Sequence, residues 1–295
     1  LTLHKNLFSH IIGNVDVDQK GISGIELFLN NEILNNDKID EPIVLSVDQN
    51  IQFIIRETLK NGMRIFDAKG AASILLDAQS GKVLSMISLP DYNPNNRKEL
   101  INKNSLFNKN TKGLYELGSI FKTFVIANAL EKKIVTRDKI YKNLPKEVKC
   151  GKFSIKEYKY SENKKNLSVN DILVESSNIG TIRIIQDSGL ETYRQFLEKL
   201  EIFSYSKIEL PEVTSSTKKR WGKCNTLTAG YGHGINTTPV QLTRAFASII
   251  NGGNLMEISL LKNKDIDIKS KVISEKNSEI MRKILRTNVD KNYHR

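Results

Sequence analysis

The chain reads Tyr115-Glu116-Leu117-Gly118-Ser119-Ile120-Phe121-Lys122 and continues Thr123-Phe124-Val125-Ile126-Ala127-Asn128-Ala129-Leu130. Ser119 and Lys122 form a Ser-x-x-Lys tetrad at the mouth of a strongly apolar helix. One helical turn brings residues i and i+3 to the same face, so the hydroxyl and the amine can meet. Serine alone is a weak nucleophile. A neighbouring lysine amine can take its proton if burial lowers the amine pKa. Because residues 123–130 are apolar around most of the helix circumference, the helix belongs in the interior, where Lys122 is desolvated. A lone Ser-x-x-Lys is commonplace on protein surfaces, so the tetrad needs a second element to carry chemistry.

That element lies downstream, in Glu175-Ser176-Ser177-Asn178-Ile179-Gly180, which holds a Ser-x-Asn triplet. Ser-x-x-Lys, a Ser-x-Asn-type triplet and Lys-Thr-Gly recur in this order in penicillin-binding proteins and class A β-lactamases. Further matches run along the chain. They are Ser9-His10-Ile11-Ile12-Gly13, Gly21-Ile22-Ser23-Gly24-Ile25-Glu26, Leu45 to Gln52, Ala71 to Pro94, and Tyr231-Gly232-His233-Gly234-Ile235 with Thr238-Pro239-Val240-Gln241-Leu242. Together these stretches resemble the class B penicillin-binding proteins, the peptidoglycan D,D-transpeptidases. The Tyr-Glu-Leu-Gly-Ser context resembles their division-type (FtsI-like) branch.

The resemblance implies an α+β fold of the serine β-lactamase/D,D-transpeptidase type, a sheet flanked by helices. Residues 1–40 would be the end of an N-terminal pedestal module with its connector, and 41–295 the transpeptidase domain. Ser119 would be the acylated nucleophile and Lys122 the general base. Ser176 would relay a proton, and Asn178 would hydrogen-bond both the substrate amide and the Lys122 amine. The implied partners are peptidoglycan stem peptides, β-lactams and divisome proteins, with no cofactor. The implied location is the periplasmic face of the bacterial inner membrane, through an anchor that this sequence lacks.

One departure stands against these matches. No Lys-Thr-Gly or Lys-Ser-Gly triplet occurs in the sequence. In the family that strand supplies the second oxyanion-hole donor and holds the substrate carboxylate. The chain also starts at Leu1 and stops at Arg295, so it reads as an internal fragment lacking C-terminal strands of the sheet. The expectation is an inactive or nearly inactive chain, since one oxyanion donor is worth ~10²–10³ in rate. Three alternatives accompany the transpeptidase reading: a serine β-lactamase, a catalytically inactive binding remnant and a β-lactam sensor domain.

Composition sets outer bounds. The 295 residues are 39% hydrophobic, enough for a sizeable core, and the formal net charge is +12. The basic residues are scattered in short runs such as Lys218-Lys219-Arg220 and form no stripe interleaved with aromatics, so nucleic-acid binding is not expected. No apolar run reaches the ~18 residues of a membrane span. Cys150 and Cys224 could form one disulfide, but two cysteines in a chain this long are usually unpaired. His4, His10, His233 and His294 show no metal-ligand spacing, so no metal site is expected. His233, in a Gly-rich turn, reads as structural, Glu116 as a solvated face residue, and Trp221 and Tyr231 as packing residues.

Turn and cap signals give the coarse element plan. Asp48 caps a helix over 49–63, two strands over 71–77 and 83–88 flank the turn Ala78-Gln79-Ser80-Gly81, and 43–47 has strand character. Further helices are expected at 169–176, 179–186, 190–200, 239–250 and 275–285. Polar loops are expected at 102–110 and 139–165, and a polar connector at 30–40.

Overall fold

The computed structural model describes residues 4–35, 42–96, 98–99, 102–158, 165–216 and 221–292. A short 3-10 turn (Lys5–Phe8) leads into α1 (Ser9–Ile12) and α2 (Gly24–Asn35). Then come α3 (Gln49–Ile65) and the hairpin β1 (Ala71–Leu76) and β2 (Val83–Leu89). α4 (Lys103–Leu106) precedes a 3-10 turn at Gly118–Ile120, which runs into α5 (Phe121–Glu131). β3 (Ile140–Tyr141), β4 (Glu147–Cys150), β5 (Phe153–Lys156) and β6 (Leu167–Ser168) lead to α6 (Val169–Val174), α7 (Asn178–Ser188), α8 (Leu190–Lys199) and α9 (Lys223–Ala229). The chain continues through α10 (Pro239–Ile250), β7 (Asn254–Met256), β8 (Ile268–Lys271) and α11 (Glu275–Asn292).

Local chemistry fixes several of these boundaries. The Asp48 carboxylate accepts from the Ile51 amide at 2.9 Å and starts α3. Ser168 and Ser177 cap α6 and α7 in the same way. α10 opens on a reciprocal capping box between Thr238 and Gln241, with Pro239 in its first turn. β1 and β2 pair antiparallel from Ala71↔Leu89 onward. Asp77 closes their turn by accepting from the amides of Gln79 and Ser80.

α5 is the axis of the larger core. Every residue from Phe121 to Leu130 is buried, and α6, α7, α8, α10 and α11 contribute apolar side chains to the same cluster. Each fully buried Phe or Ile there is worth roughly 1.5–3 kcal/mol. A smaller core joins Ile11 and Ile25 of the N-terminal segment to Val83 and Met86 of β2, Val240 of α10, and Ile258 and Leu260.

The structure departs from the sequence reading in several places. Cys150 and Cys224 are joined in a disulfide between the end of β4 and α9. Spacing along the chain could not reveal this, because the pairing is made by the fold across 74 residues. The polar stretch 139–165 contains β3 and the antiparallel β4–β5 hairpin. The loop 102–110 contains α4, capped by Asn102. Residues 43–47 form only a single bridge, Leu45↔Leu261, in place of a strand. α2 runs on to Asn35, into the expected connector, whose residues 36–40 lie outside the described residues, as do Lys218-Lys219-Arg220 and His294. α11 extends beyond 285 to Asn292. Among the described residues no helix is long and apolar enough to cross a membrane.

Candidate active site

Ser119 sits exposed on the 3-10 turn that becomes α5, and Lys122 lies one turn further on, inside. Gly118 makes this entry with φ +64°, a conformation that L side chains rarely adopt. Gly232 packs its Cα against the Gly118 backbone so closely that a Cβ there would lie 2.1 Å from the Gly118 carbonyl oxygen. The bridge Tyr115↔Thr237 fastens the same strip from its other end. The Gly-rich segment 230–235 therefore clamps the Ser119 turn from outside. Glu116 takes part: its carboxylate pairs with His233 Nδ1 at 3.2 Å and accepts from the Gly234 amide at 3.2 Å. His233 is thus a structural partner of the turn, and Glu116 is tied to it. Trp221 meets Phe203 edge-on, and Tyr231 packs on the larger core while also lining the cleft.

The Ser-x-Asn triplet forms the corner between α6 and α7. The Ser176 amide donates to Leu173 O at 3.0 Å, and the Ser177 amide to Ile172 O at 2.9 Å. This is the Schellman pattern of a helix end, which requires a left-handed residue and usually employs glycine. Serine occupies that position with φ +52°. The strained corner presents both the hydroxyl and the carbonyl of Ser176 to the lysine.

Lys122 Nζ lies 3.1 Å from Ser119 Oγ, 2.8 Å from Ser176 Oγ and 2.5 Å from Ser176 O. The two hydroxyls are themselves 3.1 Å apart. Lys122 as a whole is only 1% exposed. Burial pushes the pKa of its amine down to about 8, against a smaller upward pull from Glu157. Three acceptors around this amine give it a defined direction. Once it is neutral, two N–H groups can stay on Ser176 while the lone pair faces the Ser119 hydroxyl.

Asn178 departs from the expected geometry. Its side-chain amide donates to Lys156 O at 3.1 Å, and the hydrogen bonds of Lys122 go to Ser119 and Ser176. The physical reason is its place as the first residue of α7, where the β5 end lies within reach of its amide. Asn178 nevertheless lines the same cleft, of about 840 Å³, as Ser119, Lys122 and Ser176.

Glu157 was invisible to the sequence reading. It follows β5, and its carboxylate accepts from the Ser177 hydroxyl, the Asn178 amide at 2.9 Å and the Ile179 amide at 3.0 Å. Those partners lie at the start of α7, twenty or more residues on. No local pattern in a polar hairpin announces such a contact.

A family model described as the penicillin binding protein transpeptidase domain matches residues 71–295. The chain is 29% identical to a protein of Caulobacter vibrioides named as a probable peptidoglycan D,D-transpeptidase FtsI, over 95% of this chain and 48% of the relative. It is 28% identical to the peptidoglycan D,D-transpeptidase FtsI of Buchnera aphidicola, over 95% of this chain and 52% of the relative. The chain thus spans about half the length of the curated relatives it matches. Its fold is shared with a putative peptidoglycan glycosyltransferase from Atopobium parvulum (TM-score 0.87, 22% identity, 98% of this chain and 71% of the other). It is also shared with penicillin binding protein 3 from Mycobacterium tuberculosis in complex with aztreonam (TM-score 0.85, 20% identity, 98% and 68%).

Proposed function

The chain belongs to the penicillin binding protein transpeptidase family, and from that premise we propose that it carries the acyl-transfer site of a peptidoglycan D,D-transpeptidase, of the kind that crosslinks stem peptides at division. The observation that carries this reading is the Ser119–Lys122–Ser176 cluster, with its buried amine within hydrogen-bond distance of both hydroxyls. In the proposed protein, residues 1–40 are the end of a pedestal module and 41–295 the transpeptidase domain, at the periplasmic face of the inner membrane.

The chemistry follows from the distances. Neutral Lys122 takes the Ser119 proton as Oγ attacks the carbonyl between two D-alanines. The new O–C bond forms while the carbonyl π pair moves to oxygen. The Ser119 amide supplies one donor for that oxyanion. Collapse breaks the C–N bond, and the leaving amine takes a proton handed from Lys122 through the Ser176 hydroxyl. Asn178, at the cleft wall, orients the substrate amide. An amine of a second stem then attacks the acyl-enzyme, and the same relay runs in reverse. A β-lactam enters by the first half-reaction and stays as the acyl-enzyme.

The test is labelling with a fluorescent penicillin, read by intact mass beside Ser119→Ala. We expect one stable adduct that Ser119→Ala abolishes, formed slowly because the second oxyanion donor of the absent Lys-Thr-Gly triplet is worth ~10²–10³ in rate. An adduct that persists in Ser119→Ala, or no adduct on a folded chain, overturns the reading. Rapid turnover of the drug would replace transfer with hydrolysis.

A further inference from the structure

We infer that Glu157 is a positioning residue for this site: its carboxylate fixes the first turn of α7, and through it the Ser176 corner, while placing a carboxylate in the cleft that Lys122 also lines. The inference rests on the acyl-transfer reading above but assigns a role to a residue outside both motifs.

The geometry is specific. One carboxylate oxygen receives the Ser177 hydroxyl and the Ile179 amide, and the other receives the Asn178 amide. The backbone amides at the start of a helix lack intrahelical partners, and a carboxylate there is favoured by their hydrogen bonds and by the helix dipole. Ser177 spends its own hydroxyl oxygen on the Gly180 amide, at 2.8 Å. Glu157 therefore completes a cap that Ser177 alone does not finish. The residue it grips, Ser177, directly follows Ser176, whose left-handed conformation aims its hydroxyl and carbonyl at Lys122. A shift of this turn moves two of the three acceptors of the amine.

Glu157 is itself held from behind. The β4–β5 hairpin that delivers it is fastened to α9 by the Cys150–Cys224 disulfide. Its own amide returns to the Lys146 carbonyl. The titratable groups described along the cleft are Lys122, Glu157, Tyr158, Glu175 and Tyr231. Of these, Glu157 is the carboxylate whose charge favours the protonated lysine. Burial alone would drive the amine further down, and Glu157 offsets part of that desolvation.

The test separates position from charge. The Lys122 signal is followed by pH titration in ¹³Cε-lysine-labelled full chain, assigned through Lys122→Arg, in wild type, Glu157→Gln and Glu157→Asp. This readout does not require Ser119 to react, so it stands apart from the labelling experiment. In Glu157→Gln the midpoint should move to lower pH, because the charge that favours the ammonium is gone. In Glu157→Asp it should stay near the wild-type position. The limiting rate of penicillin acylation should fall on the order of 10-fold in Glu157→Gln, less than the ~10²–10⁴ contributed by a proton-transfer group itself, because Glu157 acts through others. A residue that merely caps a helix would lower stability and leave the midpoint in place. An unmoved midpoint in Glu157→Gln overturns the inference, as does a wild-type acylation rate in that variant.

Discussion

Ser176 shows how one side chain can be retained against a local cost. Its φ of +52° places a residue with a Cβ where glycine is at ease. Replacing it by glycine relieves the corner but removes the hydroxyl 2.8 Å from Lys122 Nζ. Ser176→Gly is therefore expected to leave stability unchanged or raise it by up to ~1 kcal/mol. Penicillin acylation should fall on the order of 10²-fold, within the range for loss of a proton-transfer group. Denaturant melts beside labelling rates would check both. Lys122 carries a second prediction. Burial sets its pKa to about 8, and the neutral amine is the proposed base. Acylation should thus be slow at pH 6, half-maximal near pH 8 and level off about one unit or more above that, with a rate profile that reports a single ionisation. A flat profile would remove Lys122 as the base. At this scale the sequence was highly legible. Ser119 and Lys122 meet as their i, i+3 spacing predicted and Ser176 joins them as the resemblance implied, whereas Asn178 turns its amide to Lys156 because the β5 end, distant in sequence, supplies the nearer acceptor.

The elements tell a similar story with a different limit. α3, α7, α8 and α10 stand close to where their caps and periodicity put them, because those signals are local. The β4–β5 hairpin escaped notice because its strands are short, polar and largely exposed, with only Ile155 and Cys150 buried. The disulfide gives this hairpin its anchor. It closes a loop of 74 residues that contains β5, α6, α7 and α8. In the chain-entropy view, such a loop restricts the unfolded ensemble substantially. The Cys150→Ser/Cys224→Ser double variant should therefore lose about 2–4 kcal/mol of stability while keeping its helical content. Chemical denaturation with and without reductant, followed by circular dichroism, measures this directly. Equal stability in both states would show that the cross-link contributes nothing.

For the whole molecule, the N-terminal segment is welded to the rest. The Tyr92 hydroxyl donates to Ser9 O at 2.9 Å, and Gln52 donates to both Leu7 O and Met86 O. Arg56 grips Asp91, which also receives the Asn6 amide. Ile11, fully buried, shares its core with Val83, Met86 and Val240. Ile11→Ala is expected to cost about 2–5 kcal/mol and to lower the unfolding midpoint of the whole chain in one transition. A separate early transition confined to the N-terminal segment would contradict this. The sequence by itself determined the Ser119-x-x-Lys122 pair, the helix carrying it and the order of the two motifs. These depend on spacing of a few residues, capping chemistry and apolar periodicity, all written locally. Only the tertiary structure decided the Cys150–Cys224 pairing, the grip of Glu157 on α7, the clamp of Gly232 on Gly118 and the shared N-terminal core. Each of these joins residues far apart in the chain, and such contacts are made by burial and packing of the folded chain.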